Sequence, residues 1–402
     1  MTYYRRYLLV AIVLLSCPSL VWGSEFRLVP SISVKEEYNS NILLATDNTK
    51  SDYITTIAPG VEMVNRTDRL DTNLLVRLDW LEYADNRDAS GTNQRYNGKV
   101  RYLFTPFSSI SAEADYARYS NPTLTIGTTG IAMAAVPWNR FTSSLSYDYQ
   151  FTEKTAAAMS YAYGRDYFER PGYVDDISHD VNLGLVHDLG KYLPAVKGRV
   201  NAGYSYYYFS DIRIDTVMGT VGLSWDYSEI WSILVDSGIR HTRSEFSVFE
   251  LQQVAPSAYE IVKVQKENSG WGWVAKASLK YKGEYGNGDF SYTRDLTPAY
   301  GLNGAAERNA LTLSTLYRLS HELSILFSTG YYTLRSDASE FSPQVIDQRT
   351  YRVSPGVRYE FSKDIALDAS YEYTMVDYPS INTDARRHLF FIRLYMQHPF
   401  LE

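Results

Sequence analysis

Residues 353–378 of this 402-residue chain read VSPGVRYEFSKDIALDASYEYTMVDY. On either side of a turn at Ser362 and Lys363, every second residue is apolar or aromatic: Val353, Pro355, Val357, Tyr359 and Phe361, then Ile365, Leu367, Ala369, Tyr371, Tyr373 and Met375. The residues between them include Arg358, Glu360, Asp368 and Glu372. Because successive side chains of a strand point to opposite faces, this pattern predicts a β-hairpin with one apolar face and one charged face.

The same alternation recurs through the chain, in segments joined by connections that are short and long by turns. Outer-membrane barrels have an even number of strands, short periplasmic turns and longer outer loops. A soluble sandwich with Greek-key connections gives no reason for this regularity. The sequence therefore predicts an all-β fold, a transmembrane antiparallel up-and-down β-barrel of about 18 strands (roughly 16–18), with short periplasmic turns and long extracellular loops.

The N-terminus has the pattern of a signal peptide. Arg5 and Arg6 precede a short apolar run, and Gly23 supplies a small residue at a cleavage site. We predict that residues 1–23 are removed after export through the Sec pathway, and that residues 24–402 form a single outer-membrane β-barrel domain. An alternative interpretation takes Leu14 to Cys17 as a lipidation motif, with Cys17 as the lipidated residue.

Composition narrows the classes of partner. The formal net charge of −7 argues against nucleic acid. Cys17 is the only cysteine, so cleavage after Gly23 would exclude disulfides and thiolate metal sites. After the leader no apolar run approaches the ~20 residues of a transmembrane helix. The predicted contact with outer-membrane lipid is therefore made by strands.

The chain lacks the common motifs of catalysis and metal binding. Its 6 histidines show no H-x-x-x-H spacing, and no G-x-S-x-G nucleophile turn accompanies them. Asp85, Asn86 and Asp88 share a polar loop but do not have EF-hand spacing. We predict no enzymatic activity, no catalytic residue, no cofactor and no bound metal.

The charged faces of the predicted strands would line the barrel interior. Both signs are interleaved there, which favours a hydrated wall of charges paired across strands over an ion-selective ring. The predicted pore-lining residues are Arg77, Asp79, Asp148, Lys197, Arg199, Asp236, Arg240, Lys276, Arg318, Arg358, Glu360, Asp368, Glu372 and Arg393.

Two features of the outer mouth suggest a path for sugars. Tyr207 and Phe209 are out of phase with the lipid-facing Tyr206 and Tyr208, so we expect them to point inward and stack on sugar rings. The uncharged loop 121–137 is expected to fold inward as a constriction.

Aromatic residues near predicted strand ends are expected to form interfacial girdles, because amphipathic rings favour the headgroup level. The residues concerned are Tyr83, Tyr119, Trp138, Tyr167, Trp225 and Trp231.

One stretch near the N-terminus resembles a known family. The run from Glu36 to Ile42 (EEYNSNI), followed by YITTIAPGV from Tyr53 to Val61, resembles the opening of outer-membrane β-barrel porins associated with exopolysaccharide synthesis and export. The strand pattern extends this resemblance over nearly the whole mature chain. It implies a channel in the Gram-negative outer membrane, with secreted exopolysaccharide or other hydrophilic solutes as cargo and periplasmic polysaccharide-export components as partners.

The C-terminus departs from a common pattern. Many outer-membrane barrels end on an aromatic residue that the barrel assembly machinery recognises, whereas here Leu401 and Glu402 follow Phe400. Phe400 is in phase with Met396, so we expect it to serve as the assembly signal.

The alternative function is a non-conducting structural or surface-interaction barrel in the outer membrane.

Overall fold

The structure is a computed structural model that describes residues 25–119, 136–169, 172–255, 258–299, 302–337, 340–342 and 345–400, without the side chains of residues 248–259. The predicted signal peptide (1–23), including Cys17, lies outside the described residues. So does most of loop 121–137.

Eighteen β-strands make up the described chain. They are β1 (Glu25–Asn39), β2 (Asp52–Arg66), β3 (Leu70–Tyr83), β4 (Gly91–Thr105), β5 (Ser108–Tyr119), β6 (Trp138–Thr152), β7 (Thr155–Phe168), β8 (Asp176–Asp188), β9 (Val196–Phe209), β10 (Ile212–Asp226), β11 (Trp231–Ala255), β12 (Ala258–Lys282), β13 (Gly286–Pro298), β14 (Ala305–Arg318), β15 (Leu323–Ser336), β16 (Ile346–Ser362), β17 (Ile365–Tyr378) and β18 (Thr383–Gln397). The helices in this part of the chain are two 3₁₀ turns, at Arg87–Ala89 and Pro379–Ile381.

The strands form one closed antiparallel sheet. Each strand pairs with its sequence neighbours, and β1 pairs with β18 over nine residues, from Ser31↔Gln397 to Asn39↔Leu389. Closure removes the exposed edges that an open sheet would present. The predicted up-and-down barrel of about 18 strands is confirmed.

The two ends of the barrel differ as predicted, with exceptions. At the end where β1 begins and β18 ends, most connections are two to four residues long, but the β8–β9 connection spans residues 189–195. At the other end the β9–β10 connection is only residues 210–211. There β11 and β12, each 25 residues long, continue beyond their neighbours as a paired hairpin.

The β12–β13 seam is paired over only part of its height. Its ladder has eight pairs, from Lys282↔Asn287 to Ala275↔Arg294, whereas β13 and β14 pair over thirteen residues up to Pro298. Above Arg294, β13 therefore leaves the wall while it stays paired with β14.

Apolar side chains cover the outside of the wall. Val217, Val221 and Ile239 are 60%, 65% and 60% exposed, and many other large apolar residues on this face are also uncovered. Such a continuous uncovered belt is unusual for a soluble monomer and typical of a barrel that contacts lipid.

Candidate functional site: the outer lumen of the barrel

The 14 predicted pore-lining residues all lie on the inward strand face. The exposed Val357 and Tyr359 flank Arg358, for example, and the exposed Val76 and Leu78 flank Arg77. The other twelve alternate with exposed apolar residues or pair across the ladder with inward ones: Asp79, Asp148, Lys197, Arg199, Asp236, Arg240, Lys276, Arg318, Glu360, Asp368, Glu372 and Arg393. Their role in lining a conducting pore stays a prediction.

Several of these charges pair across neighbouring strands. The carboxylate of Asp368 on β17 accepts hydrogen bonds from Arg358 on β16 (2.6 Å, Nε to Oδ1) and from Arg393 on β18 (2.5 Å, Nη2 to Oδ2). Arg199 likewise donates to Asp236 at 3.1 Å. The lower wall is thus a network of opposite charges across adjacent strands, which stabilises the ladder and leaves no ring of one sign.

A second network lies higher on the same strands. Glu372 accepts hydrogen bonds from Arg352 and from Arg387, each at 2.7 Å. Arg387 is 0% exposed, and burial of a guanidinium is tolerated only when a carboxylate compensates its charge. Glu372 is that carboxylate.

The tip of the β13–β14 hairpin, residues 295–298 and 305–307, is turned into the lumen; we call it the inturned hairpin. Leu296 continues the strand face that carries the exposed Phe290 lower on β13. It nevertheless lies in one buried cluster with the inward-facing Phe209, Ile212 and Phe246 of β9, β10 and β11. The outer face of this hairpin therefore packs against the inner face of the barrel wall.

A second buried cluster spans the lumen. It joins Ala299 and Ala306 of the hairpin to Trp138 and Phe168 on one wall and to Leu334 on another. Strands β6 and β15, which carry Trp138 and Leu334, are nine strands apart, half the circumference of an 18-stranded barrel. Among the described residues this cluster connects opposite sides of the outer lumen through apolar side chains.

Residues 340–342, between β15 and β16, fasten the inturned hairpin. The Ala305 amide donates to the Phe341 carbonyl at 3.0 Å, and the Ser244 hydroxyl donates to the Glu340 carbonyl at 2.6 Å. Burial raises the pKa of the Glu340 carboxyl above its ordinary value. These contacts link β11 and the inturned hairpin to residues 340–342.

A charged triad connects the hairpin to the seam. Glu307 pairs with Arg240, which is buried on the inner face of β11, and with Arg294 at 2.7 Å. The Arg294 guanidinium also lies 4.4 Å from the ring centroid of Trp273, on the outer face of β12. Arg294 is the last residue of β13 that pairs with β12. Its guanidinium contacts both the outward-facing Trp273 ring and the Glu307 carboxylate.

The first outer loop, residues 40–51, also folds over the mouth. Asn41 is buried and donates to the carbonyls of Ala45 (2.8 Å) and Arg386 (3.1 Å). Ile42 and Leu44 pack in separate buried clusters, against β3 and β17 respectively.

Tyr207 and Phe209 lie on the inward face near the outer mouth, both within the cluster around Leu296. Phe209 is completely buried and Tyr207 nearly so, which means that neither ring offers a free face in this conformation. Sugar stacking stays a prediction for a conformation in which the hairpin has moved.

Of loop 121–137, the structure describes only Val136 and Pro137, and Val136 belongs to the lumen-spanning cluster.

Three of the predicted girdle aromatics are placed elsewhere. Tyr83, Tyr119 and Trp138 have inward parity, and Tyr83 and Trp138 are buried in lumen clusters. For these three residues the girdle prediction was wrong. Tyr167 and Trp225 lie on the outer face, as expected of interfacial aromatics.

Within the described ranges, no three His, Cys, Asp or Glu side chains are arranged to hold a metal ion. Those ranges also contain no helix long and apolar enough to cross a membrane.

Phe400 is exposed, and its amide donates to the Leu28 carbonyl at 2.9 Å, alongside β1. Its role as an assembly signal stays a prediction.

No family model matches the chain, and no curated protein matches its sequence. Among solved structures, the chain is similar to the open form of the ferric-catecholate import receptor Fiu of E. coli K12 (9% identity, 93% of this chain and 82% of that one, TM-score 0.49). It is also similar to OccAB4 of Acinetobacter baumannii (9%, 94% and 99%, 0.46) and OccK2 (OpdF) of Pseudomonas aeruginosa (7%, 94% and 99%, 0.45). Likenesses of this degree carry no conclusion about function.

Replacing Glu372 with Gln removes the charge that compensates the buried Arg387. We expect the variant to be destabilised by about 3 kcal/mol, because the buried guanidinium loses the charge of the carboxylate to which it donates. The measurement is the urea midpoint of the barrel refolded in detergent. Glu360→Gln is the matched control, since Glu360 is an exposed carboxylate of the neighbouring strand. Equal midpoints for the two variants would contradict this account of the network.

Proposed function

We propose that the protein is a gated channel of the Gram-negative outer membrane, and that the conformation described is its closed state. The observation that carries this proposal is the apolar cluster across the outer lumen, built by a hairpin that has left its own wall. Below that cluster the wall is lined with paired charges, as a water-filled passage requires.

The proposed membrane position follows from the backbone pairing. Unpaired backbone groups cannot face hydrocarbon, so we place the part of β12 beyond its ladder with β13, above Ala275, at or outside the outer boundary of the bilayer. Trp271 and Trp273 project outward at this height, and Trp is enriched at membrane–water interfaces. We place the outer boundary near Trp273 at this seam.

The inturned hairpin is the proposed gate. If the β12–β13 register continued, Asp295 would pair with Val274 and Leu296 with Trp273. The hairpin would then complete the wall and leave the lumen. The move would restore backbone hydrogen bonds between β12 and β13, and it would give up the packing of Leu296 and the Glu307–Arg240 ion pair. Two alternative sets of contacts for one element are what a two-state gate needs.

The specific cargo that we propose is secreted exopolysaccharide, with other hydrophilic solutes as the broader class. It is supported by the resemblance of residues 36–61 to exopolysaccharide-associated porins and by the polar wall. The proposed partners are the barrel assembly machinery, through Phe400, and periplasmic polysaccharide-export components. The buried outer lumen favours a second candidate, a non-conducting barrel that interacts through its outer loops.

Leu296→Asn tests the gate. A polar amide in the buried cluster weakens the closed packing, so the variant should spend at least about tenfold more time open than wild type in planar bilayers. Leu302→Asn, at the exposed turn of the same hairpin, is the control and should conduct like wild type. Equal open times for Leu296→Asn and wild type would refute the gate. Absence of current from wild type and from both variants would favour the non-conducting barrel.

The double substitution Tyr207→Ala, Phe209→Ala tests sugar passage in the opened Leu296→Asn background. We expect weaker block of single-channel current by an added oligosaccharide, because two aromatic faces near the mouth are lost. Tyr206→Ala, Tyr208→Ala changes two aromatics of the same strand that face outward and should leave the block unchanged. The same block in all backgrounds would remove the stacking role.

A further inference from the structure

A cavity of about 400 Å³ lies between the inturned hairpin and the inner wall formed by β5 to β9. Residues 295–298 form one side of it. The opposite side carries Asp166, Asp176 and Asp180, together with the hydroxyls of Thr142 and Ser178. This volume lies within the range of small-molecule sites, and the lining is acidic and rich in hydrogen-bonding groups.

The negative charge of the cavity is only partly compensated within the described residues. Three other charged side chains line it, and each belongs to an ion pair: Arg140 with Asp166 (3.8 Å), Glu113 with Lys99 (3.2 Å) and Asp295 with Arg308 (2.6 Å). Asp176 and Asp180 have no ion pair there, and Asp180 accepts a hydrogen bond from Ser205 at 2.6 Å. Within the part of the chain that the structure describes, these two carboxylates therefore form no ion pair, although Arg140 and His179 act on them electrostatically.

The burial of Asp166 and Asp176 is an argument for a bound ligand at this cavity. Asp166 and Asp176 face each other directly across the β7–β8 ladder and are only 2% and 3% exposed. The Oδ1 oxygen of each is buried and accepts no hydrogen bond. An unpaired buried carboxylate oxygen is costly, so a donor from a bound molecule would stabilise the site.

The spacing of the carboxylates identifies the class of ligand. Asp176 and Asp180 lie on one face of β8, four residues and therefore roughly 13 Å apart. A single metal ion cannot bridge that distance, and the described residues hold no metal-binding group of three. A flexible molecule with ammonium groups separated by methylenes can reach both.

We propose that this cavity binds polyamines, with Asp176 and Asp180 holding separate ammonium groups and Thr142 and Ser178 adding hydrogen bonds. The inference rests on the proposed function, since it makes organic polycations a solute or a regulator of the channel. The hairpin that closes the lumen also forms one side of this cavity, so an occupied cavity would be in contact with the proposed gate.

The test is calorimetric titration of spermidine into the purified full-length barrel in detergent, at low salt. Wild type should bind one spermidine, and Asp176→Asn and Asp180→Asn should each weaken binding at least about tenfold, because each loses one charge contact. Asp148→Asn is the matched control: it removes an inward carboxylate of β6 that does not line the cavity, and it should bind like wild type. Citrate should not bind.

Two results would overturn the inference. One is a wild-type barrel that does not bind spermidine, and the other is an equal loss of affinity in Asp148→Asn, which would indicate only general attraction to an acidic lumen. Asp180→Asn keeps the test decisive if Asp176→Asn fails to refold. Spermidine binding is measured by calorimetry and gating by bilayer current, so the two tests are independent. A barrel that does not bind spermidine can still show the effect of Leu296→Asn on open time, and a barrel without that effect can still bind spermidine.

Discussion

Closure of the backbone hydrogen-bond ladder is the constraint on which the rest of the structure depends. A barrel in hydrocarbon has to pair its edge groups, and β1 and β18 meet that requirement over nine residues. At the β12–β13 seam the ladder stops after eight pairs. The strand that leaves the wall there is the one that enters the lumen, so the same departure accounts for both the shortened ladder and the apolar cluster across the outer lumen.

In the proposed gate, the inturned hairpin has two alternative packings. Inside the lumen it buries Leu296 against Phe209 and places Glu307 beside Arg240; in the wall it would regain a partner strand in β12. The hairpin also covers the acidic cavity. Conduction, closure and ligand binding would therefore be coupled through one movable element, in the sense that a ligand favours the conformation it binds more tightly.

Much of the fold is predictable from the sequence because alternation is a local property. The strand number and the inward face both follow from it. Trp138 and Thr142 are an even number of residues apart on β6, so both side chains lie on the inward face. The girdle prediction overlooked this for Trp138. Leu296 is different: its parity is outward, and it becomes buried only because the hairpin turns inside. That depends on packing between strands distant in sequence, which a local pattern does not contain.

The most direct test of the closed outer lumen is cysteine labelling in intact cells, with a membrane-impermeant maleimide too bulky for general diffusion pores. Leu302→Cys places a thiol at the exposed turn of the hairpin, and Ser354→Cys places one on the inward face below the cluster. We predict rapid labelling at 302 and none at 354 until the barrel is unfolded. Equal labelling of both sites in intact cells would contradict a closed lumen.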